Sequence, residues 1–205
     1  MSYFFAFEVP DKARAEIAAF AERWQSRVSP ELNAKWVTPE NYHITLKYLG
    51  SMSPELTAST VQEAETTVKR MSSWRRENGK ETEGAVIEQK PSVLFPAGKP
   101  PVLWIEITPT ELLNSFAYSF LLFPNLNWDE REHRRYKPHI TLAYCKPEAE
   151  VGPTTLTEQA FEPFTVSRFV LLETLPPEKR ANGGKARYNA VHTFPFGNGQ
   201  ISEVS

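Results

Sequence analysis

Two segments of this chain share the same four residues, His43-Ile44-Thr45-Leu46 and His139-Ile140-Thr141-Leu142. In each, polar and apolar residues alternate as they do along a half-buried strand. His and Thr then share one face, and Ile and Leu take the other. One such strand is an ordinary surface pair. Two of them point to polar faces that converge. Two imidazoles with near-neutral pKa can divide acid and base work at pH 7. Two hydroxyls beside them can hydrogen-bond the non-bridging oxygens of a phosphate. Phosphodiester cleavage asks for that set: a base for the attacking hydroxyl, an acid for the leaving oxygen, and donors for the charge on the equatorial oxygens. It needs no metal.

Those strands need a frame, and the pattern around them supplies one. Residues 3–9 are rich in β-formers and stop at Pro10, which predicts an opening strand. Asp11 can cap a helix whose stripe is Ile17, Phe20, Ala21, Trp24 and Val28. Residues 36–37 form a short extended piece, and 42–49 a strand ending at Gly50. Ser53-Pro54-Glu55 predicts an N-cap, a proline at the first helical position and an acid in the first turn. Val61, Ala64, Val68 and Met71 continue that second helix. Residues 75–84 are polar and predict a loop. Short strands follow at 86–87 and 93–95 and a longer one at 102–108. A third helical stripe runs over Leu112, Leu113, Phe116, Phe120 and Leu121. Residues 128–137 form a charged loop, and strands are predicted at 139–144, 164–172 and 187–196. Asn182-Gly183-Gly184 predicts a hairpin turn between the last two. The plan is α+β with mainly antiparallel sheet. The similar settings of the two histidine strands suggest an internal duplication.

With 205 residues, 40% hydrophobic, the chain suits one domain or two small lobes sharing a core. A net charge of −2 does not fit a protein that coats duplex nucleic acid. A nucleic-acid partner would be held locally, at an end or a short single strand. Cys145 is the single cysteine, so no internal disulfide forms, which favours a reducing compartment. The start, Met1-Ser2-Tyr3-Phe4-Phe5, lacks a basic n-region and is expected to be a strand, not a signal peptide. No run is long and apolar enough for a membrane span. A cytoplasmic monomer with no membrane partner is the expectation.

The segment Trp36-Val37-Thr38-Pro39-Glu40-Asn41-Tyr42-His43-Ile44-Thr45-Leu46-Lys47-Tyr48-Leu49-Gly50 resembles the first motif of the 2H phosphoesterases. Lys137-Pro138-His139-Ile140-Thr141-Leu142-Ala143 resembles the second. The opening strand, Phe95-Pro96 with Pro101-Val102-Leu103-Trp104, and Ala186-Arg187-Tyr188 extend the resemblance over nearly the whole chain. The similar branch is the bacterial and archaeal RNA 2′,3′-cyclic phosphodiesterases, also called 2′-5′ RNA ligases. This resemblance implies a single bilobal domain of two pseudo-symmetric lobes over 1–205, with two mainly antiparallel sheets flanking a central cleft and helices outside. It implies hydrolysis of RNA 2′,3′-cyclic phosphate ends, or of such nucleotides, to 2′-phosphomonoesters without cofactor or metal. Weak 2′-5′ ligation is the reverse reaction. By position His43 would donate the proton and His139 accept it, an order that the sequence leaves reversible. Thr45 and Thr141 would hold phosphate oxygens. A non-catalytic nucleotide-binding module is one alternative. Another is a related 2H enzyme that trims RNA or opens a small cyclic nucleotide.

The family often carries Arg where this chain has Tyr144. Lys47, on the His43 face by strand parity, is the candidate cation in its place. Tyr136, Arg135, Phe5 and Arg187 are candidate substrate contacts: aromatics could stack on a base and arginines attract a backbone. Phe4 and Arg134 belong to the same group. Core packing or a solvated loop is the competing account of each. His133 is expected on a loop and His192 in a structural strand. Neither has a metal-like partner, and nothing around Cys145 marks a nucleophile.

Overall fold

The computed structural model describes residues 1–28, 30–79, 84–90, 92–93, 102–120, 123, 136–146, 155–156, 158–180 and 186–197. Along the chain these form β1 (Ser2–Glu8), α1 (Asp11–Gln25), β2 (Lys35–Trp36), β3 (His43–Ser51), α2 (Pro54–Glu77), β4 (Ala85–Ile87), β5 (Ser92–Val93) and β6 (Val102–Glu106). They continue with α3 (Glu111–Ser119), β7 (His139–Tyr144), β8 (Thr155–Leu156), β9 (Phe164–Val166), β10 (Arg168–Thr174) and β11 (Tyr188–Pro195).

Seven strands make one sheet, in the order β11-β10-β1-β3-β7-β2, with β6 paired to β7. Every pairing is antiparallel. The sheet has two halves joined at a narrow seam. β1 lies between β3 and β10 in one half, and β6 and β7 make the other. β3 and β7 meet only at Ile44 and Ile140, the same residue of the two tetrapeptides. Farther along, β2 takes over the edge of β7 at Ala143 and Tyr144. The duplicated pattern thus lies about the seam, and the two half-sheets are continuous through it.

One face of this sheet carries the core. Ile44, Leu46, Ile140 and Leu142 point there, with Phe5 and Phe7 of β1. Ile17 and Phe20 of α1, Leu113 and Phe116 of α3, and Ala64 and Val68 of α2 join the same apolar cluster. Burial of each large side chain of this kind is worth about 1.5–3 kcal/mol, so this face fixes which way the histidines must point.

The helix starts follow their local chemistry. Ser53 Oγ accepts from the Leu56 amide at 3.2 Å, with Pro54 inside the first turn. Thr110 Oγ1 caps α3 through the Leu113 amide. Asp11 is the first residue of α1 and pairs with Arg14 at 2.9 Å instead of capping the helix. The loop expected at 75–84 begins later, because α2 runs on to Glu77 and turns at Gly79 in the left-handed region (φ 63°). The strand expected over 164–172 is two strands, β9 and β10, in different sheets, broken at Ser167. The predicted turn at Asn182-Gly183-Gly184 lies outside the described residues, as do most of the 128–137 loop, His133 and Arg134. No described helix is long and apolar enough to cross a membrane.

Candidate active site

His43 and His139 each open their strand. The antiparallel pairing of Ile44 with Ile140 sets the rest. One step to either side, His43 comes opposite Thr141 and Thr45 opposite His139, all four on the face away from the core. The two histidines are near enough for the charge of His139 to act on His43.

The two rings are held alike. His43 Nδ1 lies 2.7 Å from the Asn41 carbonyl, and His139 Nδ1 lies 2.8 Å from the Lys137 carbonyl. A carbonyl only accepts, so each Nδ1 carries the proton and each Nε2 is left for chemistry. A neutral ring then offers Nε2 as a base, and a charged ring offers Nε2–H as an acid.

Burial is the main influence on both rings, and it lowers the pKa of each from the ordinary 6.5. For His43 the Asn41 carbonyl opposes this, while His139 adds a further lowering, so the two rings feel each other. For His139 the Lys137 carbonyl and the Glu106 carboxylate oppose the effect of burial. Burial thus favours the neutral form of each ring, and the two carbonyls and Glu106 favour the charged form.

The walls differ. Phe4 lies 5.0 Å from His43, and Tyr188 meets the same ring edge-on at 5.1 Å. On the other side Trp104 tilts over His139 at 4.6 Å. Register explains both sets. Ala6 and Glu8 of β1 pair with Thr45 and His43, and Trp104 and Glu106 of β6 pair with Thr141 and His139.

At the last residue of each tetrapeptide a bulge resets the alternation. Phe5 pairs with Lys47 and Ala6 with Thr45, so Leu46 is an extra residue; likewise Leu103 pairs with Ala143 and Trp104 with Thr141, leaving Leu142 extra. An extra residue reverses strand parity beyond it. Lys47 is therefore buried, 8% exposed, and sits opposite the core residue Phe5. The expectation that it shares the His43 face is corrected. Tyr48 and Tyr144, each five residues past its histidine, take the histidine face and are exposed.

The other expected contacts separate. Phe5 is fully buried, 4.5 Å from Phe120, and is core; the expectation that it contacts substrate is corrected by the sheet's alternation, which turns Phe4 to the histidine side instead. Tyr136 is part-buried against the core, and its hydroxyl donates to the Thr45 carbonyl at 3.0 Å. It braces the strand, and burial pushes its pKa up. Arg187 comes to the His43 side: its amide donates to Asn41 Oδ1 at 2.8 Å, and its guanidinium acts on Tyr188. Arg135 lies outside the described residues. His192 pairs with Glu65 at 3.1 Å, away from the other two histidines.

Sequence patterns alone pass over four neighbours of the site: Asn41, Trp104, Glu106 and Tyr188. Asn41 is 3% exposed, and its Nδ2 donates to Thr38 Oγ1 at 2.6 Å. A polar residue that leads into a strand and ends up this buried is a signal, but burial is not visible in the sequence. Trp104 and Glu106 share the parity of a strand, yet only pairing with β7 brings them to His139. Among the described residues no group of three or more His, Cys, Asp or Glu is placed to hold a metal ion.

A pair of His-X-Thr strands meeting at one seam, with both rings turned to the same face, is the layout that the resemblance to the 2H phosphoesterases implies. Residues 12–81 of the 205 match the family described as LigT like phosphoesterase. An RNA 2′,3′-cyclic phosphodiesterase of Aquifex aeolicus (strain VF5) is 26% identical over 129 residues. That match covers 62% of this chain and 63% of the relative, so it spans less than two thirds of the relative's length. Among solved structures, TT0787 of Thermus thermophilus superposes with a TM-score of 0.67 at 22% identity, covering 97% of this chain and all of that one. The E. coli LigT complexed with 3′-AMP gives 0.67 at 19% identity, over 95% and 97%. At these identities the structures share a fold with this chain.

Proposed function

We propose that this protein hydrolyses 2′,3′-cyclic phosphate ends of RNA to 2′-phosphomonoesters, using His43 and His139 as its acid and base. One observation carries the reading. Two imidazoles, each anchored through Nδ1 to the carbonyl two residues upstream, share a sheet face with two threonines set across the same ladder. Two matching His/Thr half-sites suit a reaction that needs a proton removed on one side and returned on the other.

His139 Nε2 takes a proton from water as the water attacks phosphorus. The bond from phosphorus to the 3′ oxygen breaks, and His43, protonated in the reacting form, gives that oxygen its proton. The products are a 2′-phosphate and a free 3′-hydroxyl. Thr45 and Thr141 donate to the non-bridging oxygens as charge builds on them. A 5′-hydroxyl in place of water would yield a 2′-5′ linkage by the same steps. The name of the Aquifex relative supports the substrate class, as does the 3′-AMP complex of the E. coli LigT.

The test is turnover of 2′,3′-cyclic nucleotides in EDTA. Formation of the 2′-phosphate supports the reading. Binding without turnover points to a nucleotide-binding module, and stepwise shortening of oligonucleotides points to a trimming enzyme. His43→Ala and His139→Ala should each lower the rate by a factor on the order of 10² to 10⁴. Wild-type-like turnover in either variant refutes the assignment.

A further inference from the structure

The pseudo-symmetry extends beyond the tetrapeptides to a carboxylate beside each histidine. Glu8 of β1 is the register partner of His43, and Glu106 of β6 is the register partner of His139. Register partners point to one face, so each carboxylate lies beside an imidazole. Each is also held from its outer side by a cation, Glu8 by Arg168 at 3.7 Å and Glu106 by Lys90 at 2.9 Å.

The two halves then diverge. The Glu8 side chain is 43% exposed and its partner Arg168 45%. Water screens such a carboxylate strongly. The Glu106 side chain is 24% exposed. Lys90 is fixed beside it by more than its ammonium: the Lys90 amide donates to the Glu106 carbonyl at 2.9 Å, and Gln89 bridges to Ile107. Glu106 is thereby kept at the flank of His139, under the same wall as Trp104. The Glu106 carboxylate favours the charged form of His139, whereas the charge acting on His43 is that of His139, which disfavours it. Charged or titratable groups near His139 include Glu106 on β6 with its partner Lys90, His43 across the seam, Lys137, whose carbonyl holds the ring, and Tyr144, on the same face farther along β7.

We propose that Glu106, braced by Lys90, is a positioning residue that stabilises the charged form of His139 during proton uptake, and that Glu8 does not do this for His43. The inference rests on the function proposed above for its kinetic meaning. A carboxylate at the flank of an imidazole makes it a stronger base and offsets the charge it gains. Glu106 touches neither substrate nor phosphorus in this role. It acts only through His139.

The test compares Glu106→Gln and Glu8→Gln in the full chain by NMR titration of the histidine ring protons, without substrate. In Glu106→Gln the His139 titration should move to lower pH, with His43 following weakly; in Glu8→Gln the His43 titration should stay in place. In the kinetic profile, the acidic limb of kcat/KM should move to lower pH in Glu106→Gln. The loss near neutral pH should be about two- to fivefold, the size of a partly screened charge pair. An unmoved His139 titration in Glu106→Gln overturns the proposal, as does an equal shift of His43 in Glu8→Gln. If the wild type fails to open cyclic phosphates, the proposed function falls, while the NMR titration still decides the role of Glu106.

Discussion

Replacing Asn41 by Ala removes a buried side chain that joins two segments beside His43, and it should be costly. Its Oδ1 accepts from the Arg187 amide at 2.8 Å and its Nδ2 donates to Thr38 Oγ1 at 2.6 Å. The residue is 3% exposed, so water cannot freely replace it. Leaving a buried donor unsatisfied costs about 1–3 kcal/mol, and the lost Thr38 bond adds about 1 kcal/mol. The total, about 2–4 kcal/mol, corresponds to a fall in Tm of roughly 5–15 °C in a domain of this length. The same residue's carbonyl holds His43 Nδ1, so a relaxed backbone also turns the ring. A misplaced acid or base should lower kcat by roughly tenfold or more. Thr38→Val removes only one of the two bonds and should cost about 1 kcal/mol. Thermal unfolding followed by circular dichroism, with urea titration of both variants, measures the difference. An Asn41→Ala protein melting within about 2 °C of wild type, or no more sensitive than Thr38→Val, refutes the argument.

Three further outcomes rest on the same geometry. Both histidines have folded pKa values below the ordinary 6.5, so the unfolded chain binds more protons as pH falls through that range. Their contribution to stability is complete above about pH 6.5 and is lost as pH falls through the folded values; urea unfolding from about pH 8 to about pH 5 should show that slope, and the double variant His43→Ala/His139→Ala should lack that part of it. Tyr136→Phe removes the bond to the Thr45 carbonyl and should cost about 0.5–1.5 kcal/mol, with KM rising more than kcat falls; an unchanged melt argues against the brace. Tyr144→Arg puts a cation on the histidine face at an exposed position, and KM for a cyclic nucleotide should fall by about two- to fivefold at low salt and return toward wild type at high salt; a salt-independent KM counts against that placement.

How far the sequence carries can be judged residue by residue. The tetrapeptide alternation assigns His43, Thr45, His139 and Thr141 to one face correctly, because Ile44, Leu46, Ile140 and Leu142 have a core to fill. The helices were legible from their apolar stripes and from Ser53-Pro54-Glu55, since capping is a local matter. Lys47 defeats the same parity rule that places Thr45. The rule counts by twos, and a bulge is an extra residue that leaves no mark in composition. The two bulges fall at equivalent positions, and that equivalence is what brings Tyr48 and Tyr144, not Lys47, to the histidine side. Phe4 and Phe5 are adjacent and chemically identical, so only the pairing of β1 with β3 and β10 tells which one packs against Phe120 and which against His43. Trp104 and Glu106 reach His139 from more than thirty positions upstream through strand register, which no local pattern encodes. A duplicated motif therefore announces the groups that move protons. The groups that make the two halves unequal come from neighbouring strands and are visible only once those strands are paired.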